Sequence, residues 1–152
     1  NLGATILYVT HDQAEATTMA DQIGVLENGK IAQIGSPEEI YNNPNSIYVA
    51  NRLGSPKINI LKNSVLNSTI STNAFQLGLR PEHIKLGQGD LSASVKTVEA
   101  LGAETVVELD YHGEEILCLY QGSFDGQRGE DIKFAIDQSK VLFFNEDGNK
   151  MI

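Results

Sequence analysis

The rhythm of hydrophobic positions changes once along this chain, near Gly54. Before it, short apolar runs alternate with helix-start signals. After it, brief β-branched runs are separated by Gly, Asn and Asp. The run Ala4 to Val9, with continuous Ile, Leu, Tyr and Val, predicts a strand buried on both faces of a parallel sheet. Asp12 with Glu15 three residues on predicts a capped helix from there to about Asp21, with each carboxylate serving the other residue's backbone N–H. Residues 22–27 and 30–34 flank Asn28-Gly29, whose tolerance of positive φ predicts a tight hairpin. Ser36-Pro37-Glu38-Glu39 opens a second helix, with Pro at the first helical position, where its missing N–H is harmless. A further helical segment, about Ser46 to Leu53, stops at Gly54.

From Ser55 onward the clearest strands are Ser92 to Ala100, Thr105 to Tyr111, Glu115 to Tyr120, Asp131 to Ile136 and Lys140 to Asn145. Turns fall at Leu101-Gly102-Ala103, His112-Gly113, Asp125-Gly126 and Asp147-Gly148. Val106, Glu108 and Asp110 alternate with Val107, Leu109 and Tyr111, so that strand has one solvated face. The expected fold is mainly β: a small α/β unit over 1–54, then an antiparallel barrel or sandwich over 55–152. The first strand lacks the earlier neighbours that a parallel sheet requires, and the chain opens at Asn1 without a methionine. Both read as a domain cut before this point. Apolar surface on Ile6, Tyr8 and Val9 is then expected to drive self-association.

Composition narrows the function classes. The net charge is −9, with six acids against two bases up to Gly54 and fourteen against nine after it. No window holds a basic patch, so nucleic acid is a poor partner. The one cysteine, Cys118, lies in the apolar run Ile116 to Leu119 and reads as a buried thiol in a reducing cytoplasm. His11, His83 and His112 are scattered, and no metal site is expected. No apolar stretch approaches the roughly 20 residues of a spanning helix, and no basic-then-apolar leader opens the chain.

The sharpest chemical signal is Tyr8-Val9-Thr10-His11-Asp12-Gln13-Ala14-Glu15-Ala16, followed by Met19-Ala20-Asp21, Val25-Leu26-Glu27-Asn28-Gly29-Lys30-Ile31 and Gly35-Ser36-Pro37-Glu38-Glu39-Ile40-Tyr41. This order resembles the switch-histidine region of ATP-binding-cassette ATPases, and the likeness runs on through Tyr48-Val49-Ala50 and Gly54 to Asn59. The resemblance implies that residues 1–54 end a nucleotide-binding domain and that His11 faces the γ-phosphate in the intact subunit. An imidazole held there can hydrogen-bond a phosphate oxygen or the attacking water. Standing alone, His11 would read as a surface histidine at a turn. Asp12 and Glu15 are explained by capping. Phosphoryl transfer also needs a glycine-rich cradle with its Lys, a magnesium-holding hydroxyl and an acid near the water. The sequence has no G-x-x-x-x-G-K-[ST] and no signature motif, so the resemblance implies ATP and Mg²⁺ as ligands of the intact subunit, with no cofactor and no turnover in this chain.

A second likeness lies in Leu77-Gly78-Leu79-Arg80-Pro81-Glu82-His83-Ile84, in Val98-Glu99-Ala100-Leu101-Gly102-Ala103-Glu104-Thr105 and in Phe143-Phe144-Asn145-Glu146-Asp147-Gly148. These resemble the transport-associated oligonucleotide/oligosaccharide-binding-like (OB-like) domain of importers of the maltose and glycerol-3-phosphate type. The resemblance implies a regulatory domain that pairs with its counterpart across an ATPase homodimer, permease subunits at the inner face of the cell membrane, and a regulatory protein as a further partner. Arg80, Glu82 and His83 are its candidate regulatory contacts. The plain reading of these residues is a strand end, with Pro81 stopping the ladder and Arg80 and Glu82 in local ion pairs. Seven aromatics from Phe75 to Phe144 read as core rather than a base-stacking platform, because no basic groove accompanies them. A small-ligand or oxyanion-binding module is the alternative, with Arg80 and Arg128 as its anion-binding candidates.

Overall fold

The computed structural model describes residues 3–66 and 68–151. Its first part holds helix α1 (Gln13–Met19), the hairpin β1 (Ile23–Glu27) and β2 (Lys30–Gly35), and helices α2 (Pro37–Asn42) and α3 (Ile47–Ala50). The hairpin turns on Asn28 and Gly29 with φ of 49° and 76°, both positive as the dipeptide predicts. Ser36 caps α2 by accepting from Glu39 N at 3.1 Å. A small core of Val25, Ile40, Val49 and Leu53 holds the hairpin to α2 and α3.

Three local expectations are corrected. Residues 4–9 form no strand, and Ile6, Leu7 and Val9 are 83, 93 and 78% exposed. A doubly buried strand needs a neighbour on its edge and a layer on each face, and no described residue supplies them. The cap of α1 is one-sided: Asp12 Oδ1 accepts from Ala14 N at 2.7 Å and Glu15 N at 3.1 Å, but Glu15 does not return the bond. Its carboxylate accepts from the hydroxyls of Thr10 at 2.8 Å and Tyr8 at 3.2 Å, and Thr10 Oγ1 takes the Asp12 N–H at 3.0 Å. Finally, α3 stops at Ala50, because Arg52 N bonds Val49 O in a tighter turn.

The second part is two antiparallel sheets in an OB-like arrangement. One sheet has the order β3-β4-β9, from β3 (Asn59–Lys62), β4 (Gln76–Leu79) and β9 (Leu142–Phe144). The other has the order β7-β6-β5-β8, from β5 (Ile84–Ala100), β6 (Glu104–Tyr111), β7 (Glu114–Gln121) and β8 (Asp131–Ile136). Strand β5 is longer than its β-branched run suggests. It pairs with β8 from Ile84 and with β6 up to Ala100, bulging between Leu86 and Leu91, which both oppose Phe134. The alternation expected of β6 is present, with Val107, Leu109 and Tyr111 buried. These residues pack with Leu77, Leu79, Val95, Ile116, Cys118 and Phe134 in the main core. Tyr111 and Phe134 meet edge to face at 5.3 Å. Phe124 and Phe143 flank this core, whereas Phe75 and Tyr120 are 47 and 36% exposed.

The two parts are joined through α3. Val49 points into the first core, while Ala50 packs with Ile58 and Phe144 behind the β3-β4-β9 sheet. The chain returns beyond β9 to clasp the same helix start: Ile47 N donates to Gly148 O at 2.8 Å, Lys150 N to Asn45 O at 2.9 Å, and the Lys150 ammonium to Asn43. No helix is long and apolar enough to cross a membrane among the described residues.

Candidate functional site

His11 sits exposed at the bend between the extended residues 3–10 and α1, and makes no hydrogen bond to a described side chain. Helix α1 buries none of its residues. Among the described residues, the hydrogen bonds that tie residues 3–20 to the remainder all come from Gln13 and Gly54. Gly54 N donates to Gln13 Oε1 at 2.9 Å, and Gln13 Nε2 approaches Gly54 O at 3.5 Å. Gly54 has φ of +113°, which a side chain rarely adopts, and a Cβ there would stand 2.9 Å from Arg80 Nη1 and 3.1 Å from the Tyr41 ring.

Arg80, at the end of β4, is 2% exposed. It does not ion-pair as the strand-end reading expects. Its Nη1 donates to Leu53 O at 2.6 Å and Ala50 O at 3.2 Å, its Nη2 to Tyr41 O at 2.9 Å, and its guanidinium lies 3.8 Å over the Tyr41 ring. The Tyr41 and Ala50 carbonyls lie in the last turns of α2 and α3, which leave them without an intrahelical partner, and Leu53 lies in the turn beyond α3, so one planar fork closes both helix ends. The Tyr41 hydroxyl donates to Glu82, in the 3₁₀ turn Pro81–His83. Burial and the bond to Glu82 push Tyr41 up to about 12, with Arg80 opposing. Burial also lowers Arg80 from the ordinary guanidinium range, against Tyr41 and Glu82, which raise it. Arg80 is thus enclosed, with its fork engaged by three carbonyls and unavailable to an outside anion; Arg128 is exposed.

Beside this hub a cavity of about 420 Å³ opens between α1 and α2, lined by Gln13, Thr17, Pro37, Tyr41, Leu53 and Ser55 among others. Its walls carry no concentration of charge fit for a triphosphate. His83 is half-buried with Nδ1 unpartnered in the interior, and its carbonyl accepts from Asp137 N at 3.0 Å. The structure brings Arg80 and Glu82 together through Tyr41 but leaves His11 away from them, connected by way of Gln13 and Gly54. Cys118 is buried and burial pushes its thiol up to about 12. Among the described residues, no three His, Cys, Asp or Glu side chains converge as a metal site would require.

Gln13, Tyr41 and Gly54, which the structure joins to the Arg80 hub, were not singled out by the sequence. Gln13 follows a cap and Gly54 a helix end, so each has a sufficient local explanation. The one available hint was an arginine beside apolar residues in Leu77-Gly78-Leu79-Arg80, since an Arg at the end of a buried strand must find acceptors.

Residues 77–144 match the TOBE domain family. Over 99% of this chain and 47% of the relative, the sn-glycerol-3-phosphate import ATP-binding protein of Psychromonas ingrahamii is 35% identical. The maltose/maltodextrin import ATP-binding protein of Vibrio vulnificus is 33% identical over 97% of the chain and 47% of its own length. The sulfoquinovosyl glycerol transport ATP-binding protein of Agrobacterium fabrum is 32% identical over 95% and 47%. The chain spans about half the length of these curated relatives.

Proposed function

This chain belongs to the family of ATP-binding-cassette importer subunits that carry a TOBE domain, matching their C-terminal part, and from that premise we propose that it is the regulatory and coupling region of such a subunit. Residues 1–54 serve as the end of the nucleotide-binding domain and residues 55–152 as the TOBE domain. The intact subunit couples hydrolysis of Mg-ATP to uptake of a sugar or sugar phosphate. It acts as a homodimer against permease subunits at the cytoplasmic face of the membrane. The observation that carries this reading is likeness over nearly the whole chain to import proteins whose names specify such cargoes.

Within that subunit His11 hydrogen-bonds the phosphate end of ATP or the attacking water. The chain supplies no phosphate cradle of its own, and an exposed histidine with no basic partner is no nucleotide site. We therefore assign no turnover to this chain alone. Glu82 and His83 lie where a regulator can act on the joint between the two parts, while Arg80 works from the interior. The oxyanion-binding alternative is disfavoured because the Arg80 fork is already engaged by three carbonyls.

His11→Ala in the intact subunit, assembled with its permease, tests the reading. ATP turnover is expected to fall by about a hundredfold with nucleotide binding retained, the usual loss for a single donor to developing charge. Unchanged turnover overturns the assignment of His11.

A further inference from the structure

We infer that Gln13 is a positioning residue for His11, and that through Gly54 and Arg80 it makes the placement of that histidine depend on the state of the TOBE domain. The inference rests on the reading of His11 proposed above. Within this chain α1 buries none of its residues, and among the described residues its hydrogen bonds to the remainder run through Gln13. The Gln13 amide reads both polar groups of the Gly54 backbone, much as a neighbouring strand would. Gln13 stands two positions beyond His11, on the first turn that Asp12 caps, so fixing Gln13 fixes the bend that aims the imidazole.

Gly54 is itself not free to move. It follows Leu53, whose carbonyl accepts the shortest of the Arg80 bonds at 2.6 Å, and it presses on the guanidinium closely enough to exclude a Cβ. Arg80 is the last residue before the turn that carries Glu82, and Glu82 holds Tyr41 against the same guanidinium. A displacement of β4 or of that turn therefore moves the Arg80 fork, the fork moves the backbone at residues 53 and 54, and Gln13 carries that movement to α1.

Two measurements test the inference. On this chain, ¹⁵N order parameters across α1 are compared between the native sequence and Gln13→Ala. Gln13 is exposed, so the substitution leaves the cores intact. The values are expected to fall below about 0.6, those of a flexible segment. Gln13→Glu keeps the acceptor for Gly54 N–H and loses the donor, and should lie between. In the intact subunit, Gln13→Ala should lower kcat by about tenfold with KM for ATP unchanged, as expected for loss of one to two hydrogen bonds that orient a reacting group. Tyr41→Phe, which releases Glu82, should lower kcat in the same direction and add nothing on top of Gln13→Ala. An unchanged order parameter, an unchanged kcat, or full additivity of the two variants overturns the inference. His11→Ala separates the two failures: if it abolishes turnover while Gln13→Ala does not affect it, only the positioning role is lost, and if it too has no effect, the reading of His11 falls with it.

Discussion

Asn59 and Leu117 close the barrel by a side-chain imitation of strand pairing. Asn59 Oδ1 accepts from Leu117 N at 2.7 Å, and Asn59 Nδ2 donates to Leu117 O at 2.8 Å and Leu79 O at 3.1 Å. The residue is 6% exposed, on the edge strand β3, and Leu117 is on the edge strand β7. Without it the two sheets meet with unpaired backbone groups on both edges. Asn59→Leu keeps the branched outline of the side chain and strands these groups, at about 3 kcal/mol. Urea unfolding should show a midpoint drop with the m-value unchanged.

Gly78, in the middle of β4, has the main core on one face and the Phe144 cluster on the other. A Cβ there would come within 2.8 Å of Phe144 Cε2, 3.1 Å of Ile58 Cδ1 and 3.2 Å of Leu142 Cβ. Gly78→Ala should destabilise by about 1–3 kcal/mol through overpacking, seen as a lowered Tm.

Arg80→Met removes the donors from three backbone carbonyls, two at helix ends and one in the turn beyond α3, while retaining most of the apolar stem. The expected loss is at least about 3 kcal/mol, because each buried carbonyl is then unsatisfied. The effect should be felt first in the amide protection of residues 41 to 54, with the β5-β6-β7 sheet affected only at global unfolding.

Alkaline pH should weaken the fold through two buried acids. Cys118 rises from its ordinary 9.0, and Tyr41 from 10.0, each to about 12. Both groups are neutral in the folded state where the unfolded chain has already lost their protons. Their contribution is therefore complete below about pH 9 and is lost progressively as pH climbs towards 12. Cys118→Ala should flatten part of that decline in a series of denaturation curves. In the native protein Cys118 should resist alkylation at pH 8 and react only after unfolding.

The order of elements was legible wherever a residue's local chemistry settles its backbone. Asn28-Gly29 gave the hairpin, Ser36-Pro37 the second helix, and Asp131 to Ile136 its strand to the residue. Sequence reading failed where the outcome depends on distant partners. The apolar run Ile6 to Val9 has strand composition but no ladder to join among the described residues, Glu15 prefers two hydroxyls over the Asp12 N–H, and β5 extends across Gly87 and Gly89 because β8 lies alongside. At the site, His11 and Arg80 were visible as residue types. That Arg80 serves carbonyls at residues 41, 50 and 53 was not, since acceptors so far away in sequence leave no local signature.

The proposed division of labour is tested most directly by calorimetric titration of this 152-residue chain with Mg-ATP. If ATP binds only the intact subunit and this region supplies just the switch histidine and the regulatory domain, no binding heat and no phosphate release are expected. Binding in the micromolar range, or measurable hydrolysis, would contradict that division.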